Sequence, residues 1–355
     1  MALQCGVVGL PNVGKSTLFN ALTQAGIGAS NYPFCTIEPN VGRVSVPDLR
    51  LDSLTEIVKP QKTIPNTIEF VDIAGLVEGA SKGEGLGNQF LANIREVDAI
   101  LHVVRCFDDD NITHVHDHVD PIRDIEIIET ELAIADLQMA EKAQQRLAKK
   151  ARSGDKDAQE KLDAINLVCK KLDNNDPILP VDPILSEYRF LTAKPCLFVA
   201  NTPEEGDNDH LSKLKEYLIQ RNQPLITISA NIEAEIQSLG PDDQALFLEE
   251  IGQKEPGLNR LIRSSYQLLN LITFFTAGEK EVRAWTLQQD INAQNAAGVI
   301  HTDFIKGFIR AEVISYQDFI DKKGEQGAKE AGLWRLEGKD YIVKDGDVIH
   351  FRTNA

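Results

Sequence analysis

The stretch Gly9-Leu10-Pro11-Asn12-Val13-Gly14-Lys15-Ser16-Thr17 decides how this chain is read. Two glycines separated by four residues are followed by Lys and Ser, the spacing of a phosphate-binding loop. The context agrees with the motif. Cys5-Gly6-Val7-Val8 before it reads as a short buried strand, and Ser16-Thr17-Leu18-Phe19-Asn20-Ala21-Leu22 after it reads as the start of an amphipathic helix. A strand that enters a helix through such a loop turns successive backbone N–H groups onto a phosphate, and the helix N-terminus adds favourable partial charge. Asn12, Val13, Gly14, Lys15, Ser16 and Thr17 then form the phosphate cradle. Lys15 is positioned to reach the outer phosphates, as a candidate catalytic residue, and Ser16 to ligate magnesium.

The rest of the composition suits a nucleotide-handling globular protein of two or three domains. The chain has 355 residues, 42% of them apolar and 26% charged, enough for a sizeable core. No apolar run approaches the roughly 20 residues of a membrane helix, and the N-terminus lacks a signal-peptide layout. A cytoplasmic monomer with no membrane partner is expected. Cys5, Cys35, Cys106, Cys169 and Cys196 are odd in number and scattered, which reads as reduced thiols. The net charge of −17 argues against a non-specific DNA coat, though a local basic patch can still meet RNA.

Up to about Arg123, short apolar runs (Cys5–Val8, Ile68–Val71, Ala99–Val104) alternate with helical or Gly-rich segments, the pattern of a mostly parallel sheet. From Asp124 the apolar residues Ile128, Leu132, Ala135, Met139 and Ala143 recur at three and four. After Ser153-Gly154-Asp155 the same spacing resumes with Ala158, Leu162, Ile165, Cys169 and Leu172. This predicts an antiparallel coiled-coil hairpin. Its tip carries Arg146, Lys149, Lys150, Arg152, Lys156 and Lys161 against Asp155, Asp157 and Glu160, a locally positive end that is either a solvated face or a contact for RNA or protein. The α/β pattern returns with Cys196–Ala200, a helix around Asp209–Arg221 and Leu225–Ser229, so the hairpin reads as an insertion. Helices are expected around Gln244–Ile251 and Leu258–Leu271. Beyond Gly278, strands at Val282–Leu287, Leu333–Leu336, Tyr341–Val343 and Val348–Phe351, with a helical stretch over Val299–Ala311, suggest a small β-grasp module. The expected division is a nucleotide domain over 1–123 and 190–277, a hairpin over 124–189 and a C-terminal module over 278–355.

Further motifs complete a nucleotide site. Asp72-Ile73-Ala74-Gly75 follows the strand Ile68–Val71. Asp72 there supports magnesium, and the Gly75 N–H suits a γ-phosphate. Thr36, in Tyr32-Pro33-Phe34-Cys35-Thr36, is placed to close over the ion when a triphosphate binds. Gly79, Gly83, Gly85 and Gly87 make a loop able to order on that phosphate. Leu76 stands directly after the Asp72 motif, where many GTPases carry a water-orienting Gln. His114, in the polar loop after Ala99–Val104, is the candidate for positioning water or handling a proton, against the plainer reading of a solvated loop histidine. Asn201-Thr202-Pro203-Glu204 occupies the place of the Asn-Lys-x-Asp element of GTPases. Thr202 lacks the aliphatic stem that covers a guanine ring, and Glu204 is one methylene too long to place its oxygens where Asp would, so guanine preference should fall. Asn201 offers donor and acceptor to an adenine edge, and Ser229 and Ala230 suit a backbone contact to the base.

These elements resemble the YchF/Obg-like ATPase family of P-loop GTPase folds. The likeness spans the whole chain, including a C-terminal end, Asp340-Tyr341-Ile342-Val343-Lys344-Asp345-Gly346-Asp347-Val348-Ile349, that looks like a TGS domain. It implies an α/β fold: a Ras-like P-loop domain with an inserted coiled-coil hairpin and a TGS-like β-grasp domain. It also implies magnesium-dependent hydrolysis of ATP in preference to GTP, and association with ribosomes, a ribosomal subunit or RNA. A GTPase with unusual base contacts, or a nucleotide-gated binding module with incidental hydrolysis, are the competing readings.

Overall fold

The computed structural model describes residues 3–26, 40–73, 86–109, 111–115, 118–174, 176–179, 181–204 and 208–354. Along the chain run β1 (Gln4–Val8), α1 (Lys15–Gly26), β2 (Val41–Ser45), α2 (Leu49–Val58), β3 (Lys62–Ile64) and β4 (Thr67–Asp72). Next come α3 (Leu86–Glu96), β5 (Ala99–Arg105), α4 (Pro121–Ala151), α5 (Lys156–Asp173), β6 (Cys196–Asn201), α6 (Asp209–Gln220), β7 (Leu225–Ile228), α7 (Ala230–Ser238), α8 (Pro241–Glu250) and α9 (Gly257–Leu268). The C-terminal part holds β8 (Leu271–Ala277), β9 (Glu281–Gln288), α10 (Ala293–Ile300), α11 (Asp303–Lys306), β10 (Phe308–Ile314), α12 (Tyr316–Asp321), α13 (Glu325–Glu330), β11 (Arg335–Glu337) and β12 (Val348–Thr353).

One six-stranded sheet has the order β2-β4-β1-β5-β6-β7, and β1 pairs in parallel with both β4 and β5. Strands β5–β6 and β6–β7 are parallel as well. Residues of β5 are buried throughout, as expected for a central strand covered on both faces. The register aligns Val7 with Asp72, Arg105 with Asn201 and Asn201 with Ile228, so the C-terminal ends of these strands finish level. Ligands of open α/β sheets bind at such strand ends.

Between β5 and β6 the chain makes a helical hairpin. Asp120 caps α4 by accepting from Ile122 N and Arg123 N, each at 3.2 Å, with Pro121 in the first turn. Gly154, at φ 90°, allows the reversal, and Asp155 caps α5 by accepting from Ala158 N at 3.1 Å. The seam is Ala140, Ala143, Leu147, Ala158, Ile165, Val168, Cys169 and Leu172, with Met139 and Leu162 only partly buried beside it. On α5 the expected Ala158, Leu162, Ile165, Cys169 and Leu172 all lie on this seam, but on α4 it runs through Ala133, Leu137, Ala140, Ala143 and Leu147. Of the expected α4 residues only Met139 and Ala143 belong to it, and Ile128, Leu132 and Ala135 are buried outside that cluster.

The second sheet has the order β11-β10-β12-β8-β9-β3. An antiparallel β8–β9 hairpin, α10 after β9, and β12 lying parallel to β8 and antiparallel to β10 make a β-grasp. One face packs Phe274, Leu287, Ala296, Val313 and Phe351 with α10. The other packs Phe275, Val282, Ile314 and Val348 with Leu51 and Leu54 of α2.

Several expectations are corrected. Residues 308–311, read as helical, begin strand β10, because Glu312 is buried among Arg310 and Arg352 and so hides the apolar alternation. Residues 341–343 make only an isolated bridge, Asn292 to Ile342. Strand β8 follows α9 directly and was not anticipated, its run Leu271-Ile272-Thr273-Phe274-Phe275 being continuous with an apolar helix in sequence. The chain also forms two compact units, residues 1–42 with 69–258, and 43–68 with 259–355. The hairpin belongs to the first unit, and the N-terminal segment 43–68 completes the second, where β3 extends the sheet at β9.

Candidate functional site

The loop after β1 is shaped by residues that only certain backbones tolerate. A Cβ on Gly9 would stand 2.7 Å from the Val103 carbonyl oxygen, and one on Gly14 would stand 2.1 Å from Asn201 Nδ2. Gly14 at φ 92° and Asn12 at φ 63° both take left-handed conformations. The loop therefore curls tightly enough for α1 to begin at Lys15, where Leu18 N donates to Gly14 O at 3.0 Å. Val13 is buried and anchors the curl, Ser16 is exposed, and Thr17 is half-buried. Lys15, 9% exposed, places Nζ 2.5 Å from Asp72 Oδ1. The level ends of β1 and β4 bring these two together although they lie 57 positions apart in the chain.

Asn201 lies at the end of β6 and is buried. Its Nδ2 donates to Val13 O at 2.9 Å, and its Oδ1 accepts from Ala230 N at 3.0 Å, at the start of α7. The side chain expected to read a base thus braces the phosphate loop against β6 and α7, and the Ala230 N–H is engaged by it. Thr202 is buried and donates N–H to Ile228 O at 2.9 Å. Glu204 is exposed, and Ser229 is half-buried at the N-cap of α7 with no capping side-chain bond.

His114 is not a solvated loop histidine. It is 6% exposed, with Nε2 2.9 Å from Oδ2 of Asp124, itself 2% exposed. An ionised carboxylate only accepts, which puts a hydrogen on Nε2. The preceding residue reaches the phosphate loop: Asn12 Nδ2 donates to Thr113 O at 3.1 Å. Arg105, buried at the end of β5, holds the loop from within through Nε to Phe107 O at 2.9 Å, Nη1 to Ile112 O at 3.0 Å and Nη2 to Asp109 O at 3.4 Å. Burial pulls its guanidinium below the ordinary value, while Asp109, Asp108 and Asp124 work the other way.

Thr36, Gly75, Leu76, Gly79, Gly83 and Gly85 lie outside the described residues. Among the described residues no cluster of three or more His, Cys, Asp and Glu could hold a metal by itself. The oxygens of Ser16 and Asp72 are nevertheless the hard donors that magnesium takes alongside phosphates and water. Sequence reading missed Arg105 and Asp124. Arg105 ends a strand that is otherwise almost wholly apolar, which was a usable signal; Asp124 looked like one more acidic residue opening a helix.

Two family models match: one described as a 50S ribosome-binding GTPase over residues 4–136, and YchF-GTPase_C, described as a protein of unknown function, over 271–354. A protein of Pasteurella multocida named ribosome-binding ATPase YchF is 58% identical, with all of both chains covered. One of the same name from Bacillus subtilis is 53% identical, again over all of both chains. Among solved structures, the Schizosaccharomyces pombe YchF GTPase matches at TM-score 0.90 and 39% identity, covering 99% of this chain and 97% of that one. A GTP binding protein of Pyrococcus horikoshii matches at TM-score 0.62 and 21% identity over 99% of this chain and 100% of that one, a likeness of fold alone.

Proposed function

This chain belongs to the YchF family, and from that premise we propose that it is a magnesium-dependent ATPase acting as a nucleotide-controlled switch on the ribosome. The observation that carries the chemistry is the Lys15–Asp72 pair at the mouth of the Gly9–Thr17 loop. The bacterial relatives' names supply ATP and the ribosome. The Thr202 and Glu204 departures from the guanine-reading pattern favour the same base.

In this reading the backbone N–H groups of residues 12–17 and the Lys15 ammonium hold the phosphates and stabilise the charge that develops as water attacks the γ-phosphorus. Magnesium, held by Ser16 and Thr36 and supported by Asp72, would neutralise charge on the phosphate oxygens. Gly75 adds an N–H to the γ-phosphate. His114 holds the attacking water or takes its proton, the task for which Leu76 has no hydrogen-bonding group. Intrinsic turnover is slow, and a partner raises it. Thr202, Glu204, Ser229 and the 230 backbone shape the base pocket behind the Asn201 brace. The exposed tip residues Lys149, Lys150, Arg152 and Lys156 meet RNA or protein of a ribosomal subunit. The protein acts as a cytoplasmic monomer, and among its described residues no helix is long and apolar enough to cross a membrane.

The test is calorimetric titration with ATP, GTP and their non-hydrolysable analogues, with and without magnesium. ATP should bind at least about tenfold more tightly than GTP, as expected when a site lacks the partners of one base. Equal or reversed affinity would make the protein a GTPase with unusual base contacts.

A further inference from the structure

His114 has its backbone on one element and its ring on another. The chain just before it is tied to the phosphate loop through Thr113 O and Asn12, at 3.1 Å. The carbonyls of Phe107, Asp109 and Ile112 rest on the buried Arg105 guanidinium, which also stacks 4.6 Å from the Phe107 ring. These contacts set where the His114 main chain sits. The ring itself is held by Asp124, 2.9 Å from Nε2.

Asp124 stands in the first turn of α4, four residues after the Asp120 cap, where the helix is stapled by two cap bonds. It is 2% exposed, with the Arg123 guanidinium 3.9 Å from its other oxygen. A buried carboxylate is costly unless it is paired and hydrogen-bonded. Here it holds an imidazole in one orientation and one tautomer, the arrangement by which a third group prepares an acid–base histidine.

We propose that Asp124 is the positioning residue of His114, so that the first turn of the hairpin helix forms part of the hydrolytic site. The inference rests on the His114 reading above. It does not require Asp124 to touch nucleotide: the carboxylate acts through the ring.

The experiment uses the full chain with Asp124→Asn, His114→Ala and the double variant, measuring steady-state ATP hydrolysis with magnesium and ATP affinity by titration. Asp124→Asn should lower kcat by about tenfold or more, within the range by which positioned proton-transfer groups accelerate reactions. KM and ATP affinity should stay within about twofold, the split expected for an interaction used in the transition state. In the His114→Ala background the Asn substitution should cost nothing more. Wild-type kcat in Asp124→Asn, or an equal further loss on top of His114→Ala, overturns the proposal. Loss with His114→Ala but none with Asp124→Asn removes Asp124 alone; unchanged kcat in His114→Ala removes the His114 reading itself. A nitrogen-detected spectrum of the unsubstituted protein covers the case where Asp124→Asn fails to fold. The His114 ring should carry its hydrogen on Nε2, and a ring with none there overturns the assignment.

Discussion

Asn201 Nδ2 donates to the carbonyl oxygen of Val13 across 2.9 Å, joining residues 188 positions apart in the chain. The same side chain accepts from Ala230 N. One buried amide therefore holds the phosphate loop, the end of β6 and the start of α7 in register, and it stands within 2.1 Å of where a Gly14 Cβ would be.

Asn201→Ala should strand a buried carbonyl and a buried N–H, at a cost of about 1–3 kcal/mol for groups left unsatisfied. Urea denaturation should show that loss. Nucleotide affinity should fall for ATP and GTP alike, by about tenfold, because the loop and not the base contact is disturbed. A selective loss of ATP in titration would mean that Asn201 reads the base directly.

Restoring the guanine-reading pattern is the complementary change. Thr202→Lys with Glu204→Asp supplies a ring-covering stem and the shorter carboxylate. Glu204 is exposed, and the Thr202 backbone N–H bond to Ile228 O at 2.9 Å survives the change, while the longer 3.5 Å bond from the Thr202 hydroxyl to the same oxygen is lost. GTP affinity should rise by about tenfold or more, the scale of gaining a paired hydrogen-bonding edge. Competition between labelled ATP and GTP measures it, and unchanged preference would place base selection elsewhere in the pocket.

The hairpin tip divides in the structure. Arg146 reaches Tyr188 Oη at 3.2 Å and Lys161 reaches Glu187 at 3.2 Å, so these two serve packing. Lys149, Lys150 and Arg152 are exposed. Changing those three to Glu should abolish co-sedimentation with ribosomal particles while leaving ATP titrations unaltered, since charge reversal acts over about a Debye length of 8 Å at physiological salt. Unaltered sedimentation would leave the tip a solvated face.

His102 sits in the middle of β5, 3% exposed, with its ring 5.3 Å from that of Phe198. Burial lowers its pKa to about 3. The native ring stays neutral while the unfolded one takes a proton below about pH 6.5. Stability from this residue is thus complete above pH 6.5 and declines as pH falls towards 3, by up to about 1.4 kcal/mol per unit. Urea unfolding at pH 7.5 and 5 should show a larger drop for the native chain than for His102→Phe. Equal drops would show that His102 does not drive the dependence.

The phosphate cradle was legible because its physics is local. A glycine at φ 92°, a Lys and a Ser at the start of a helix are neighbours in the chain, and the strand and helix beside them announce themselves by period. The hairpin was legible for the same reason on α5, whose seam repeats at three and four, but less so on α4, where buried residues outside the hairpin cluster share the same period. The β-grasp was only half legible. The buried Glu312 broke the alternation of β10, and β8 follows its helix across only Leu269 and Asn270, the latter making the turn at φ 53°.

His114 shows the limit within the site. Its place after a parallel strand, at the ligand end of the sheet, follows from the sequence. Whether it faced solvent or was held did not, because its partner lies in a different element, and an acidic residue in a helix's first turn is ordinary in any sequence.

The sequence alone determined the family and the fold of the nucleotide domain, since these rest on short-range backbone geometry and side-chain chemistry. Only the tertiary structure decided that Asn201 braces the loop, that Asp124 holds His114, and that segment 43–68 completes the C-terminal unit. The first comes from parallel strands ending level, the second from a loop folding back onto the first turn of the helix that follows it, and the third from distant chain segments meeting at one sheet; no local period records them.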